Sequence, residues 1–161
     1  MVCKWLPDFY DEPDWNDYSS FEEKLYLFFR RLYLEHPLLF QEITVKYRFK
    51  PFVNNKEEVF YHLTCKDYET DGERCPDPNR IIRIKWTRAF VENYICMNDC
   101  CESKPLYWTK AYGNKIRHKI FYEDFLVILE EREEYFLLIT GYFVEEMYYK
   151  KGLLKEYSKC T

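Results

Sequence analysis

Glycine is scarce in this chain: only 4 of 161 residues, at 72, 113, 141 and 152. A loop that cradles phosphate needs several closely spaced glycines, so the P-loop and the dinucleotide-binding pattern are excluded, and neither HExxH nor GxSxG occurs. No cofactor is expected. Long apolar runs are also missing; none approaches the roughly 20 residues of a membrane span. The first fourteen residues are acidic with no leader-like stretch, so no signal peptide is expected and the protein reads as cytoplasmic. The paired C-x2-C motif is absent as well. The 7 cysteines, at 3, 65, 75, 96, 100, 101 and 160, are odd in number, which argues against a secreted disulfide framework. Cys65, Cys75, Cys96 and Cys100 form the alternative set of zinc ligands, but C-x9-C and C-x3-C-C lack knuckle spacing, and free thiols are the leading expectation.

Aromatic residues are abundant: 16 Tyr, 13 Phe and 4 Trp. Each can bury roughly 150–250 Å², so one domain over residues 1–161 has ample core. The net charge of −4 argues against a nucleic-acid binder until it is divided. Residues 1–79 hold 10 basic and 16 acidic side chains, residues 80–119 hold 9 and 3, and residues 120–161 hold 5 and 9. A basic middle third is thus flanked by acid, and localised fields decide which anions a surface attracts.

Along the chain, an acidic arm broken by Pro7 and Pro13 leads to Ser19 and Ser20, at capping-box spacing from Glu22 and Glu23. Apolar residues at 21, 25, 28, 29 and 32 predict a helix over 20–35, ended before Pro37. Residues 43–49 alternate as a strand, Asn54-Asn55-Lys56 reads as a turn, and 58–64 reads as a second strand and possible hairpin partner. Residues 66–79 read as a polar loop. Residues 80–85 read as a short strand or extended entry, 87–94 as a helix capped by Thr87, and 96–105 as a cysteine-rich loop. Three strands, 115–122, 125–131 and 135–144, form a meander with Leu126–Leu129 as its buried centre, and 145–157 closes as a helix. The fold class expected is α+β: an N-terminal helix on an antiparallel sheet, a three-strand meander and a terminal helix.

The residues left for chemistry are His, Arg, Lys, Thr and Tyr, which suffice to cleave RNA without a metal: a base takes the 2′-hydroxyl proton, an acid protonates the leaving oxygen, and cations stabilise the phosphorane. His36, at a helix end, suits capping or surface. His62 is the catalytic candidate, set against a satisfied half-buried histidine. His118, among Lys115, Arg117 and Lys119, is either a phosphate contact or an exposed strand residue. Arg80, Arg83, Lys85 and Arg88 can hold phosphates, against the alternative of a charged edge strand. Thr140 and Tyr142 share one strand face and want polar partners.

The order of these elements resembles a family. Phe60–Thr64, a polar loop, Arg80–Trp86, a Lys/Arg-bearing strand, EDFLVILEEREEYFLLITGYFVE and a terminal LLKEY are similar to the phage-type barnase–EndoU–colicin–RelE nucleases over roughly residues 57–157. The resemblance implies a helix-then-antiparallel-sheet fold and metal-independent RNA cleavage, in a toxin or phage-borne effector with a neutralising protein partner. It maps the family's pattern onto His62, onto Arg83 with Arg80 or Arg117, and onto Thr140 and Tyr142. Gly141 departs from the alanine-like residue of that pattern, the acidic flanks depart from basic toxins, and residues 1–42 lie outside it. The leading expectation is therefore a metal-independent ribonuclease. The alternative is a non-catalytic module that binds nucleic acid or protein through residues 80–119 and exposed aromatics.

Overall fold

A computed structural model describes residues 2–67, 74–97 and 102–161. The arm is extended and tied down: the Tyr10 N–H donates to the Ile82 carbonyl (2.7 Å), and Trp86 Nε1 donates to the Pro7 carbonyl (3.2 Å). Helix α1 (Tyr18–Phe29) is capped by Asp17, whose carboxylate accepts from the Ser20 N–H at 3.4 Å. The cap is thus an aspartate upstream of the expected serines. Glu23 is freed for an ion pair with the buried Lys56 at 2.6 Å. A single π turn over Arg30–Leu34 extends the helix and buries Tyr33 before Pro37 ends it.

Strands β1 (Leu39–Phe40) and β2 (Ile43–Lys46) form a tight hairpin in which Gln41 and Glu42 take φ of 52° and 67°. The next segment corrects the sequence reading. Residues 58–64 are not a strand but helix α2 (Glu58–Thr64). Its β-branched and aromatic composition favours a strand, yet tertiary context overrides propensity. The Glu58 and Val59 N–H groups donate to the Phe49 and Arg48 carbonyls (both 3.0 Å), and Val59, Phe60, Leu63 and Thr64 are buried at helical spacing. The expected polar loop contains a small hairpin, β3 (Cys65–Asp67) with β4 (Arg74–Pro76). Arg80–Lys85 is not extended either. Asp77 caps helix α3 (Pro78–Ile81) by accepting from the Asn79 N–H at 3.0 Å, with Pro78 at the first helical position, and turns lead into α4 (Trp86–Glu92). Lys85, not Thr87, is the residue preceding α4.

The meander is as expected: β6 (Lys115–Tyr122), β7 (Phe125–Glu131) and β8 (Phe136–Phe143), followed by α5 (Met147–Cys160). A further strand, β5 (Leu106–Tyr112), pairs with β6, and the sheet order is β1-β2-β8-β7-β6-β5. The sheet is mixed rather than antiparallel, because β2 runs parallel to β8 through Val45↔Phe136 and Lys46↔Leu137. Phe125, Val127 and Leu129 face the larger core with α1 to α4, whereas Leu126 and Ile128 face a smaller core under α5. That double burial explains the unbroken apolar run. No helix among the described residues is long and apolar enough to cross a membrane.

Register shifts in β8: Leu129 opposes Leu138 and Ile128 opposes Thr140, so Ile139 is an extra residue. Two residues on, Gly141 lies against α4, where an added Cβ would fall 2.1 Å from Thr87 Oγ1. We expect Gly141→Ala to cost about 1–3 kcal/mol in urea unfolding, as overpacking does, and Thr87→Ala in the same chain to restore part of that loss. A Gly141→Ala protein as stable as wild type would show that α4 and β8 are not in this contact.

Candidate functional site

Arg80 is the hub of the nominated residues. Its Nη1 donates to the His62 carbonyl (3.0 Å) and the Cys65 carbonyl (2.6 Å), its Nε lies 3.5 Å from Asp77, and its guanidinium sits 5.2 Å from the centre of the Tyr142 ring. It therefore closes the C-terminal end of α2, whose last carbonyls need donors. His62, Arg80 and Tyr142 are linked through this one side chain. Tyr142 and Thr140 oppose Leu126 and Ile128 and so face α5, as the strand pattern implied. Burial and a hydrogen bond with Tyr149 push the Tyr142 phenol well above its usual range.

The remaining cations go elsewhere. Arg83 is caged by the rings of Phe143 (4.0 Å), Phe9 (4.9 Å) and Trp86 (5.2 Å), and donates to the backbone and side-chain oxygens of Asn79. Burial lowers its pKa. Arg88 grips the carbonyls of Leu32 (2.6 Å), His36 (2.7 Å) and Pro37 (2.9 Å), locking the end of the first helix. Lys85 lies 6.0 Å from the Phe28 ring. Arg117 pairs with Glu130 at 3.0 Å and stacks on Tyr112 at 4.1 Å. His118 is only 4 % exposed; Nδ1 meets the Tyr107 hydroxyl at 2.6 Å and Nε2 meets Glu131 at 2.7 Å, so both nitrogens are taken by protein. His36 meets the Arg31 carbonyl at 2.6 Å, a capping role.

Cys65 and Cys75 lie on the β3–β4 hairpin, and burial pushes the Cys65 thiol up to about 11. Cys96 Sγ instead lies 3.7 Å from Cys3 Sγ, and Cys100 is outside the described residues. Among the described residues, no cluster of three or more His, Cys, Asp or Glu side chains is placed to hold a metal.

His62 lines a cavity of about 240 Å³ where β2 leaves β8. Arg48, Glu58 and Arg74 line the same cavity, floored by Val59, Leu138 and Ile139. Glu58 is ion-paired with Arg74, and Glu58 and His62 are four residues apart on α2, hence on one face. Arg80 and Tyr142 line a second cavity of about 290 Å³ with Lys66 and Tyr149. His62, Arg83 and Tyr142 thus do not share one cleft. The sequence reading missed Arg48, Glu58 and Arg74, although the Glu58–His62 spacing puts the pair on one face of a helix or a strand alike.

Glu22 was also missed. It lines a third recess, of about 700 Å³, which shares Glu58 and Arg74 with the His62 cavity. The carboxylate is half-buried with no hydrogen-bond or ion-pair partner among the described residues. Burial raises its pKa, against the pull of Lys56 and with the push of Glu23. An acid whose folded pKa lies above its unfolded value, about 4.3, costs stability as pH rises through that window. Glu22→Gln should therefore raise Tm at pH 7 and leave it unchanged near pH 4; equal shifts at both pH values would rule out the buried charge. Comparison of the chain with protein-family models, with curated proteins and with solved structures yields no match.

Proposed function

We propose that this chain is a metal-independent endoribonuclease whose chemistry takes place in the His62 cavity. One observation carries the reading: His62, Glu58, Arg48 and Arg74 line a single cavity of about 240 Å³. Arg48 and Arg74 would neutralise the scissile phosphate, and guanidinium is the better bidentate partner for it. Glu58 is the carboxylate among the residues lining this cavity, and that position suits it as the base. Glu58 takes the 2′-hydroxyl proton, O2′ attacks phosphorus, and His62 protonates the departing 5′-oxygen. The product ends in a 2′,3′-cyclic phosphate. The Arg80–Tyr142 contact supports the end of α2 and would position His62 rather than touch the reacting atoms. On this reading RNA is the partner, the compartment is the cytoplasm, and a neutralising protein partner would guard the host, as the resemblance implies.

A second reading has its own observation. Lys110 and Lys119 share Glu156, and Lys115, Arg117 and Arg132 share Glu130. Five cations thus surround two carboxylates on the β5–β7 face beside the exposed Tyr112, a surface suited to holding a nucleic-acid strand without cutting it.

Incubating the protein with mixed RNA in excess chelator separates the two. Wild type should yield cyclic-phosphate ends, and His62→Ala should slow cleavage by about 10²–10⁴-fold, the usual worth of general acid–base catalysis. Salt-sensitive RNA binding with no product would remove the ribonuclease reading and leave the binding one; His62→Ala as active as wild type would remove His62 and its cavity from the chemistry.

A further inference from the structure

Cys3 and Cys96 are both thiols, and their sulfurs lie 3.7 Å apart although 93 residues separate them in sequence. A disulfide holds its sulfurs about 2.05 Å apart, so the gap left to close is about 1.7 Å, a distance that side-chain rotation covers.

Three segments fix this contact. The Tyr122 hydroxyl, at the end of β6, accepts from the Cys3 N–H at 2.9 Å and donates to the Ser103 carbonyl at 3.3 Å. The same carbonyl lies 3.4 Å from Cys3 Sγ. Trp5 packs on Phe90 and Tyr122, with ring centres 5.7 and 5.8 Å away, and holds the arm beside α4. The backbone of Cys3 is therefore anchored by groups other than its sulfur, and the sulfur can change partner without the arm losing its place.

The two sulfurs differ in access. Cys3 is 1% exposed, whereas Cys96 is half-buried and flanked in sequence by the exposed Ile95 and Met97. A small oxidant arriving from solvent meets Cys96 first. Redox-active pairs share that division of labour, an accessible attacking thiol beside one that resolves it. The sulfurs of Cys65 and Cys75 have other neighbours, Thr64 Oγ1 at 3.6 Å and the Pro76 carbonyl at 3.7 Å, and Cys160 is exposed at the end of α5.

We propose that Cys3 and Cys96 form an oxidisable dithiol whose substrate is a low-molecular-weight disulfide of the oxidised-glutathione type. The Cys96 thiolate attacks one sulfur of the small disulfide and breaks its S–S bond; a mixed disulfide forms and one glutathione thiolate leaves. The Cys3 thiolate then attacks Cys96 Sγ, the second glutathione thiolate leaves, and the Cys3–Cys96 bond closes. The protein dithiol is oxidised, the small disulfide is reduced to two thiols, and the protons lost by Cys3 and Cys96 go to the departing thiolates. The new bond fastens the arm to the segment after α4 and closes a loop across 93 residues, which constrains the unfolded chain. None of this depends on the ribonuclease reading.

Incubation of the full-length protein with oxidised glutathione, followed by alkylation in urea and non-reducing peptide mapping by mass spectrometry, tests the pair. Wild type should yield a Cys3–Cys96 linked peptide that lacks two hydrogens. Its urea midpoint should rise above that of the reduced protein and fall back when dithiothreitol is added. Cys3→Ser should trap Cys96 as the glutathione adduct. Cys96→Ser, at a half-buried position that tolerates the change, should lose the link and leave Cys3 open to alkylation. Cys160→Ser should form the link as wild type does. A link from Cys96 to Cys100 or Cys101 overturns the proposal, and so does a wild-type Cys96 adduct that persists beside an alkylatable Cys3. Cys3 and Cys96 left unmodified once Cys160 has fully reacted overturns it too. A linked protein no more resistant to urea than the reduced one overturns the fastening of the arm.

Discussion

The parallel contact between β2 and β8 covers only two residue pairs, and the candidate site depends on how early it ends. Past Leu137 the two strands diverge, and α2 and α3 pack against the part of β8 that β2 has left. Backbone polar groups at such a divergence need other partners. The carbonyls of Arg48 and Phe49 find them in the first N–H groups of α2. That capping brings the end of β2 against the start of α2, so Arg48, Glu58 and His62 reach one cavity from two elements. Arg74 arrives from β4 and Arg80 secures the other end of α2. A seven-residue helix in water is marginal by itself. Here both ends are held by groups from outside it, which is what gives a short helix a fixed place.

Long periodic segments were legible in the sequence. The first helix, β6 to β8 and the terminal helix each carry a hydrophobic pattern sustained over two turns or several strand residues. α2 was not, because its Val, Phe, Tyr and Thr content favours a strand and its capping donors are paired by carbonyls that no local motif announces. α3 was hidden by Ile81, Ile82 and Ile84, although Asp77-Pro78 carried a start signal in plain view. The parallel pairing of β2 with β8 joins residues about ninety apart, and nothing local encodes it. Of the site, His62 was legible as a residue type. Arg48, Glu58, Arg74 and Glu22 come from four separate elements or turns, and only the fold brings them together.

Arginines that clamp carbonyls and arginines that hold phosphates look the same in a sequence, since one fork of donors serves both. The basic third of the chain illustrates the point. Arg80 and Arg88 spend their donors on backbone oxygens, and Arg83 is surrounded by three rings. Of the other cations, Lys110, Lys115, Arg117 and Lys119 are drawn onto Glu130 and Glu156, which belong to the acidic last third. Burial alone would raise the Glu156 pKa, but hydrogen bonds from Lys110, Lys119 and Trp108 outweigh it and hold the carboxyl down at about 2. Charge blocks in sequence are therefore interleaved in space, and the β5–β7 face is less positive than residues 80–119 taken alone.

Pairing this thorough gives weight to the exceptions. Lys56, Glu58, Glu130, Glu131 and Glu156 all have a hydrogen-bonded partner, so a half-buried carboxylate without one is out of keeping with its surroundings. Nothing in the helix requires Glu22 to be charged, because Asp17 already caps α1 and Glu23 already binds Lys56. A glutamine would fill the same space without the desolvation penalty that raises the Glu22 pKa. Within the folded state the Lys56 charge favours the carboxylate, and burial together with Glu23 opposes it.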